Sequence, residues 1–348
     1  MTKKTSLKDL ATHLGMSQTT VSRGLSDYPE VKQATKERIR QAAIALNYAP
    51  SSSAQKLAMG RSFTIGHIIG ISEHRTLNPF YADFIAGAGE SYAAHGYDML
   101  LSMATKDKEL EAYRNLTNAH KVDGFILSEP VPDDPRITLL QELNVPFIVH
   151  GRAHATGEAE NRYPWLDVNN RRGFEEATTY LLELGHRDIA LLNGPETFNF
   201  ALQRRRGFHH AMMSAGAPIT PSWMISADMS EQTGFTIASR LLENEKIPTA
   251  IICSSVLVAI GIQRAANQLG LKIGHDLSVL CWDDCLSGFH SPDRAPQFTA
   301  MQSSIFAAGA QIADMLIQQI KSPSPQNETK LLEARLVIGH STSKGPHS

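Results

Sequence analysis

Between residues 63 and 320, short apolar runs alternate with longer amphipathic stretches, and that alternation leaves few folds open. The runs span 63–71, 99–103, 124–127, 147–149, 189–192, 250–253 and 277–282. Between or after them, apolar residues recur at helical spacing over 81–95, 109–119, 136–143, 171–184, 203–215, 232–243, 256–269 and 305–320. A three- and four-residue spacing marks one face of a helix, and a short continuous run marks a strand covered on both sides. Strand and helix in turn predict a parallel sheet with helices on both faces. Roughly 280 residues exceed one comfortable sheet of this kind, so two similar doubly wound lobes are expected. Such sheets bind ligands at the carboxyl ends of their strands, and two facing lobes form a cleft there.

The first sixty residues break this pattern. Ser6 is a candidate helix cap, with Asp9 three residues on to close a capping box. Leu7, Leu10, Ala11 and Leu14 share a face, and Gly15 supplies a left-handed stop. Ser17 can cap a second helix over 18–25, with Val21 and Leu25 inward. Two short helices joined through Gly15-Met16 form a helix-turn-helix. The second opens with polar side chains, and a recognition helix reads base edges with its first residues. A third helix over 34–46 puts Ile39, Ala43 and Leu46 inward, and Pro50 closes the unit. Residues 51–61 read either as a Ser-rich linker or as a conditional helix, because Ala54, Leu57 and Ala58 fall at helical spacing before Gly60.

Charge follows the same boundary. Residues 1–61 hold ten Lys or Arg and four Asp or Glu, a balance of +6, so in a chain of net charge −2 the remainder carries −8. A basic headpiece on an acidic body points to a polyanionic partner for the headpiece alone.

Several classes are disfavoured. Cys253, Cys281 and Cys285 are too few and too clustered for a disulfide framework, and no zinc-type spacing accompanies them, so they read as small buried hydrophobes. No stretch approaches the ~20 apolar residues of a membrane helix, and the N-terminus has no apolar run of a secretory leader, so a cytoplasmic protein is expected. An enzyme on this fold would show a G-x-G-x-x-G after a strand, a Walker loop or a G-x-S-x-G elbow, and none is present. A sugar-transport module would not carry the headpiece. No cofactor or metal site is expected.

Gly15-Met16-Ser17-Gln18-Thr19-Thr20-Val21-Ser22-Arg23, Ala45-Leu46-Asn47-Tyr48-Ala49-Pro50 and Ala54-Gln55-Lys56-Leu57-Ala58 resemble the LacI/GalR regulators. So do Asn78-Pro79-Phe80-Tyr81, Leu184-Gly185-His186-Arg187-Asp188-Ile189-Ala190, Arg204-Arg205-Arg206-Gly207-Phe208 and Trp282-Asp283-Asp284. The resemblance runs in order along nearly the whole chain. It implies a helix-turn-helix headpiece (1–50), a hinge that folds on DNA (51–61) and a two-lobed core similar to periplasmic sugar-binding proteins (62–342). It further implies a homodimer on a near-palindromic operator, a repressor role, and operator affinity set by a small effector, a sugar before a purine or a protein co-repressor. After residue 320 no apolar heptads follow, which argues against a tetramer-forming coiled coil.

Carried onto this chain, the resemblance implies DNA contacts from Ser17, Gln18, Thr19, Thr20, Arg23 and Ala54, with Leu57 wedged into the minor groove. It implies Arg204 and Asp283 as polar partners of the effector, Arg offering a planar fork of donors and Asp accepting. Ser255-Val256 stands where relatives commonly carry a more polar pair, and Ser255 is the candidate contact there. Phe80, Phe200 and Trp282 read either as rings that stack on a sugar or as core. His150, at the end of a strand, is either a ligand contact or a satisfied structural histidine. The runs 147–152 and 163–169 resemble α-glucoside-type members.

Overall fold

The computed structural model describes residues 5–25, 28–48, 60–70, 79–153, 162–288, 296–322 and 328–346. The chain divides into two compact units, Met1–Ser62 and Phe63–Ser348.

The first unit is three helices, α1 (Leu7–Leu14), α2 (Gln18–Leu25) and α3 (Gln33–Ala45). The expected capping box forms: the Ser6 amide donates to Asp9 Oδ2 at 2.9 Å and the Asp9 amide to Ser6 Oγ at 3.2 Å. Gly15 ends α1 at φ +64°, a conformation in which a side chain is strained. Leu10, Ala11, Leu14, Val21, Ile39 and Ala43 form the core. Leu46 lies at the end of α3 and packs on that core only partly. Lys32 precedes α3 and offers no side-chain cap.

The second unit holds two six-stranded sheets. β1 (Thr64–Gly70), β2 (Asp98–Ala104), β3 (Gly124–Ser128), β4 (Phe147–His150), β5 (Trp165–Val168) and β11 (Thr329–Leu332) line up as β2-β1-β3-β4-β5-β11. β6 (Ile189–Asn193), β7 (Met224–Ser226), β8 (Ala250–Cys253), β9 (Ser278–Asp283), β10 (Thr299–Gln302) and β12 (Arg335–Val337) line up as β7-β6-β8-β9-β10-β12. Both sheets thus share one doubly wound order with its switch at the strand that opens the lobe. All neighbours are parallel except β12, which runs antiparallel to β10.

Helices cover both faces, which is why the strands read as continuous apolar runs. In the first lobe, Ile65, Ile126 and Ile148 pack under α4 (Pro79–His95) and α11 (Ile305–Lys321). Phe125, Leu127 and Val149 pack on α5 (Glu109–Asn118) and α6 (Pro135–Glu142). In the second lobe, Leu191, Ile252 and Leu280 meet α7 (Asn170–Glu183) and α8 (Asn199–Ser214). Ile251, Cys253, Val279 and Cys281 meet α9 (Glu231–Leu242) and α10 (Val256–Gln268).

The chain crosses between lobes three times: β5 to α7, β10 to α11, and β11 to β12. The crossings are tied together. Asn169 donates from its amide to Leu332 O at 2.8 Å and from Nδ2 to Glu333 Oε1 at 2.9 Å. The Ile305 amide donates to Asp284 O at 3.0 Å.

Five strands go beyond the apolar runs: β5, β7, β10, β11 and β12. β5 and β10 bury Asp167, Thr299 and Gln302, so hydropathy alone hides them. β11 and β12 are exposed edges, and the stretch 331–338 is split between the two sheets. α8 begins at Asn199, four residues before the expected 203, because the buried Asn199 and Gln203 look polar in sequence yet bond each other at 3.1 Å.

Candidate functional site

In the first unit the outward face of α2 is polar. The Thr20 amide donates to Ser17 Oγ at 3.0 Å, and the two hydroxyls bond each other at 2.8 Å, so Ser17 and Thr20 start the helix. Val21 is wholly buried against α1 and α3. A Cβ on Gly24 would strike the Ile39 side chain, which fixes how closely α2 sits on α3. This anchoring turns Gln18, Thr19 and Arg23 outward. Arg23 pairs with Glu30 at 3.4 Å on the surface, while the side chains of Gln18 and Thr19 bond no described residue.

In the second unit the carboxyl ends of strands from both sheets surround one cavity, with about 830 Å³ of empty space when its open mouth is included. The first lobe contributes Phe80 of α4, Glu129 and Pro130 after β3, His150 at the end of β4, Gly151, Arg152, and Asp167 and Val168 of β5. The second contributes Asn170, Phe198, Asn199, Phe200, Arg204, Met229, Trp282 and Asp284; Ile305 lies at a crossing. Such a placement follows from the topology, since loops leaving the strand ends converge there.

Arg204 is at its centre and only 5% exposed. Nε donates to Asn170 Oδ1 and Nη1 to the Ser254 carbonyl, each at 2.8 Å. The guanidinium lies 4.2 Å over the Trp282 ring and 5.0 Å over Phe200. Gly173 admits that indole, since a Cβ there would come within 2.9 Å of Trp282 Cζ3. Trp282 Nε1 in turn donates to Asp284 Oδ1 at 3.1 Å. On the opposite wall, Arg152 Nε donates to Asp167 Oδ2 at 2.8 Å, and its guanidinium covers Trp165.

Burial dominates the protonation states. It lowers the Arg204 pKa to about 10 against the pull of Asp284 and Asp167. It raises Asp284 to about 6, opposed by Arg204 and by the Trp282 bond. Glu129 is raised by burial, opposed by Arg136 and reinforced by Glu109. Asp167 is raised by burial and opposed first by Arg152. His150 stacks on Phe84 at 4.4 Å, and burial lowers it to about 4, so it is neutral near pH 7. The cavity therefore sets aromatic side chains beside paired donors and acceptors, and among its described lining residues no nucleophile is paired with a base.

Residues 65–339 match the family described as periplasmic binding proteins and sugar binding domain of LacI family, and residues 6–51 match the bacterial regulatory proteins, lacI family. The chain belongs to the LacI family. It is accordingly a DNA-binding transcription regulator and not an enzyme. The HTH-type transcriptional regulator AglR of Rhizobium meliloti (strain 1021) is 36% identical over 98% of this chain and 95% of its own. The probable HTH-type transcriptional repressor ExuR of Bacillus subtilis (strain 168) is 32% identical over 94% and 95%. Among solved structures, the Lac repressor dimer bound to operator and the anti-inducer ONPF has a TM-score of 0.76 at 26% identity, over 98% of this chain and 100% of that one. A CelR–cellobiose complex has a TM-score of 0.71 at 25% identity, over 97% and 100%.

Of the cavity residues expected for a LacI-family core, the structure brings together Phe80, His150, Phe200, Arg204 and Trp282. It does not bring in Asp283 or Ser255. Asp283 accepts from the Cys285 amide at 2.8 Å and from Gln302 Nε2 at 2.9 Å, so the carboxylate that faces Arg204 is that of Asp284. Ser255 is wholly buried as the cap of α10, accepting from the Val258 amide at 3.3 Å. Glu129, Arg152, Asp167, Asn170 and Phe198 also line the cavity. Their position just after or within strand ends was the available signal, but β5 was hidden by its buried aspartate. Ala54 and Leu57 lie outside the described residues. Among the described residues no helix is long and apolar enough to cross a membrane.

One further contact ties the two lobes together. The Ser287 amide and hydroxyl, in the loop after β9, donate to the two carboxylate oxygens of Asp83 on α4, at 2.7 and 2.8 Å. These two bonds run from the second lobe to the first.

Proposed function

We propose that this regulator is a cytoplasmic repressor that binds a near-palindromic operator as a homodimer and is released by a sugar held between its core lobes. The observation that carries the reading is the cavity itself. The half-buried rings of Phe80, Phe198 and Phe200 give apolar surface, Trp282 backs Arg204, and Arg204, Arg152, Asp284 and Asp167 give fixed donors and acceptors. Sugar rings present apolar faces and rims of hydroxyls, which suit that mixture. Support also comes from the CelR relative, solved with cellobiose, and from an Enterococcus faecium LacI-family regulator solved with bound ribose. The resemblance of residues 147–152 and 163–169 makes an α-glucoside the first candidate.

The working division is a headpiece at 1–50, a hinge at 51–61 and a core at 62–342. Gln18 and Thr19 read bases, with Ser17, Thr20 and Arg23 beside them, and Ala54 and Leu57 serve the hinge. To move the population from 99:1 to 1:99, the sugar needs ~5.5 kcal/mol of differential affinity between the two states. The test is operator binding by fluorescence anisotropy, with a sugar panel added and thermal shift measured in parallel. A binding sugar should raise the melting temperature and weaken operator affinity. Indifference to every sugar, together with a response to a purine, would overturn the reading.

A further inference from the structure

The cavity holds more charge than a neutral ligand requires, and the balance of that charge narrows the ligand. Two guanidiniums line it. Arg152 is bound to Asp167 at 2.8 Å, and Arg204 faces Asp284 and Asp167. A third carboxylate, Glu129, lines the same space. Its side chain accepts from no described residue. Behind it, Arg136 donates to the Glu129 backbone carbonyl at 3.0 Å and is committed to Asp134 at 2.7 Å and Glu109 at 3.8 Å. His150, stacked on Phe84, adds no positive charge near neutral pH. Two guanidiniums and three carboxylates therefore line the cavity, and counting Arg136 together with its partners Asp134 and Glu109 leaves the balance negative.

We infer that the cavity takes a neutral polyhydroxy compound and rejects sugar acids and sugar phosphates, and that Glu129 is the residue that enforces the choice. The inference rests on the sugar reading above and goes further by fixing the charge of the ligand. A hydroxyl both donates and accepts, so it satisfies the open oxygens of Glu129 and Asp284 and the Nη2 of Arg204 without changing the charge. A carboxylate or phosphate only accepts when ionised. It would add a further negative charge to a desolvated space in which carboxylates already outnumber the guanidiniums. Trp282 Nε1 is spent on Asp284, so the aromatic wall supplies no replacement donor.

Calorimetry on the full chain near neutral pH tests this, with maltose, sucrose and glucose as neutral probes and glucuronate, galacturonate and glucose 6-phosphate as anionic ones. Neutral sugars should bind, and the anionic probes should bind about 100-fold more weakly or worse, because like charges brought together at a binding site cost several kcal/mol. Glu129→Gln removes one carboxylate and supplies an amide donor, so it should narrow that gap to about tenfold or less. A sugar acid bound by the parent protein as tightly as its neutral counterpart would overturn the inference. An unchanged gap in a folded Glu129→Gln protein would remove Glu129 from it. Should the variant fail to fold, the comparison in the parent protein still decides. Silence from neutral and anionic probes alike, in heat and in operator release, would remove the sugar reading and this inference with it.

Discussion

Replacing Arg204 with Met separates what this residue does for folding from what it does for binding. The change removes the donors to Asn170 Oδ1 and to the Ser254 carbonyl, both in buried residues. Each acceptor left unmet costs about 1–3 kcal/mol, so the loss is about 2–6 kcal/mol. Against it stands the guanidinium's own burial. A pKa lowered from 12.5 to about 10 means that the charged form is held at a penalty of about 3 kcal/mol, which Met does not incur. Asp284, already raised, answers the lost cation by taking up a proton rather than by unfolding the lobe. The difference is about −1 to +3 kcal/mol, small for a residue so buried. Effector binding has no such offset, because donor, charge and the face shared with Trp282 disappear together, and affinity should fall about 100-fold or more. Urea unfolding and calorimetry on the same preparation, with operator affinity as a control expected to hold, would measure both sides. A stability loss above about 5 kcal/mol would show that Arg204 is a structural keystone, and near-normal sugar binding would remove it from the site.

Three other outcomes are expected. Asp284→Asn should abolish sugar response, and its pH profile carries a sign. The folded pKa of about 6 exceeds the unfolded value near 4, so the folded protein holds that proton more tightly. Stability relative to Asp284→Asn should therefore decline as pH rises from about 4 to about 6, by at most about 3 kcal/mol, and stay level above; a difference curve flat across that window contradicts the burial argument. Asp83→Ala loses the two bonds from Ser287, worth together about 1–3 kcal/mol, so stopped-flow should show the effector leaving about tenfold faster, and an unchanged rate would deny the bond a role in closure. Gln18→Ala should cost about 1–3 kcal/mol in operator affinity and relax preference at one base pair per half-site, as base-resolved selection on the variant would reveal, whereas an unaltered preferred sequence would exclude Gln18 as a reader.

Local rules were enough to read the headpiece. Ser6 with Asp9, Gly15, and Ser17 set helix ends by hydrogen bonds within four residues of chain, and Val21 and Ile39 found the core through helical spacing. The same holds for the seven apolar runs: a strand buried on both faces must be hydrophobic throughout, so it is visible without its neighbours. The motif around Arg204 marked a residue that the fold brings to the cavity, whereas Trp282, left open between core and cavity, is 2% exposed within a buried cluster and touches the cavity from behind Arg204. Tertiary structure decided what those rules could not reach. β5 and β10 bury polar side chains whose partners are distant in sequence, such as Arg152 for Asp167 and Gly339 and Thr342 for Thr299. β11 and β12 are held by pairing at sheet edges. Two adjacent aspartates in Trp282-Asp283-Asp284 are chemically identical in sequence; Asp283 is taken by Gln302 on the neighbouring strand, and that long-range bond leaves Asp284 to face the buried arginine. Glu129 gained its place for a similar reason, since the balance of charge in a cavity depends on which side chains meet across it, and that is fixed only when both lobes are folded.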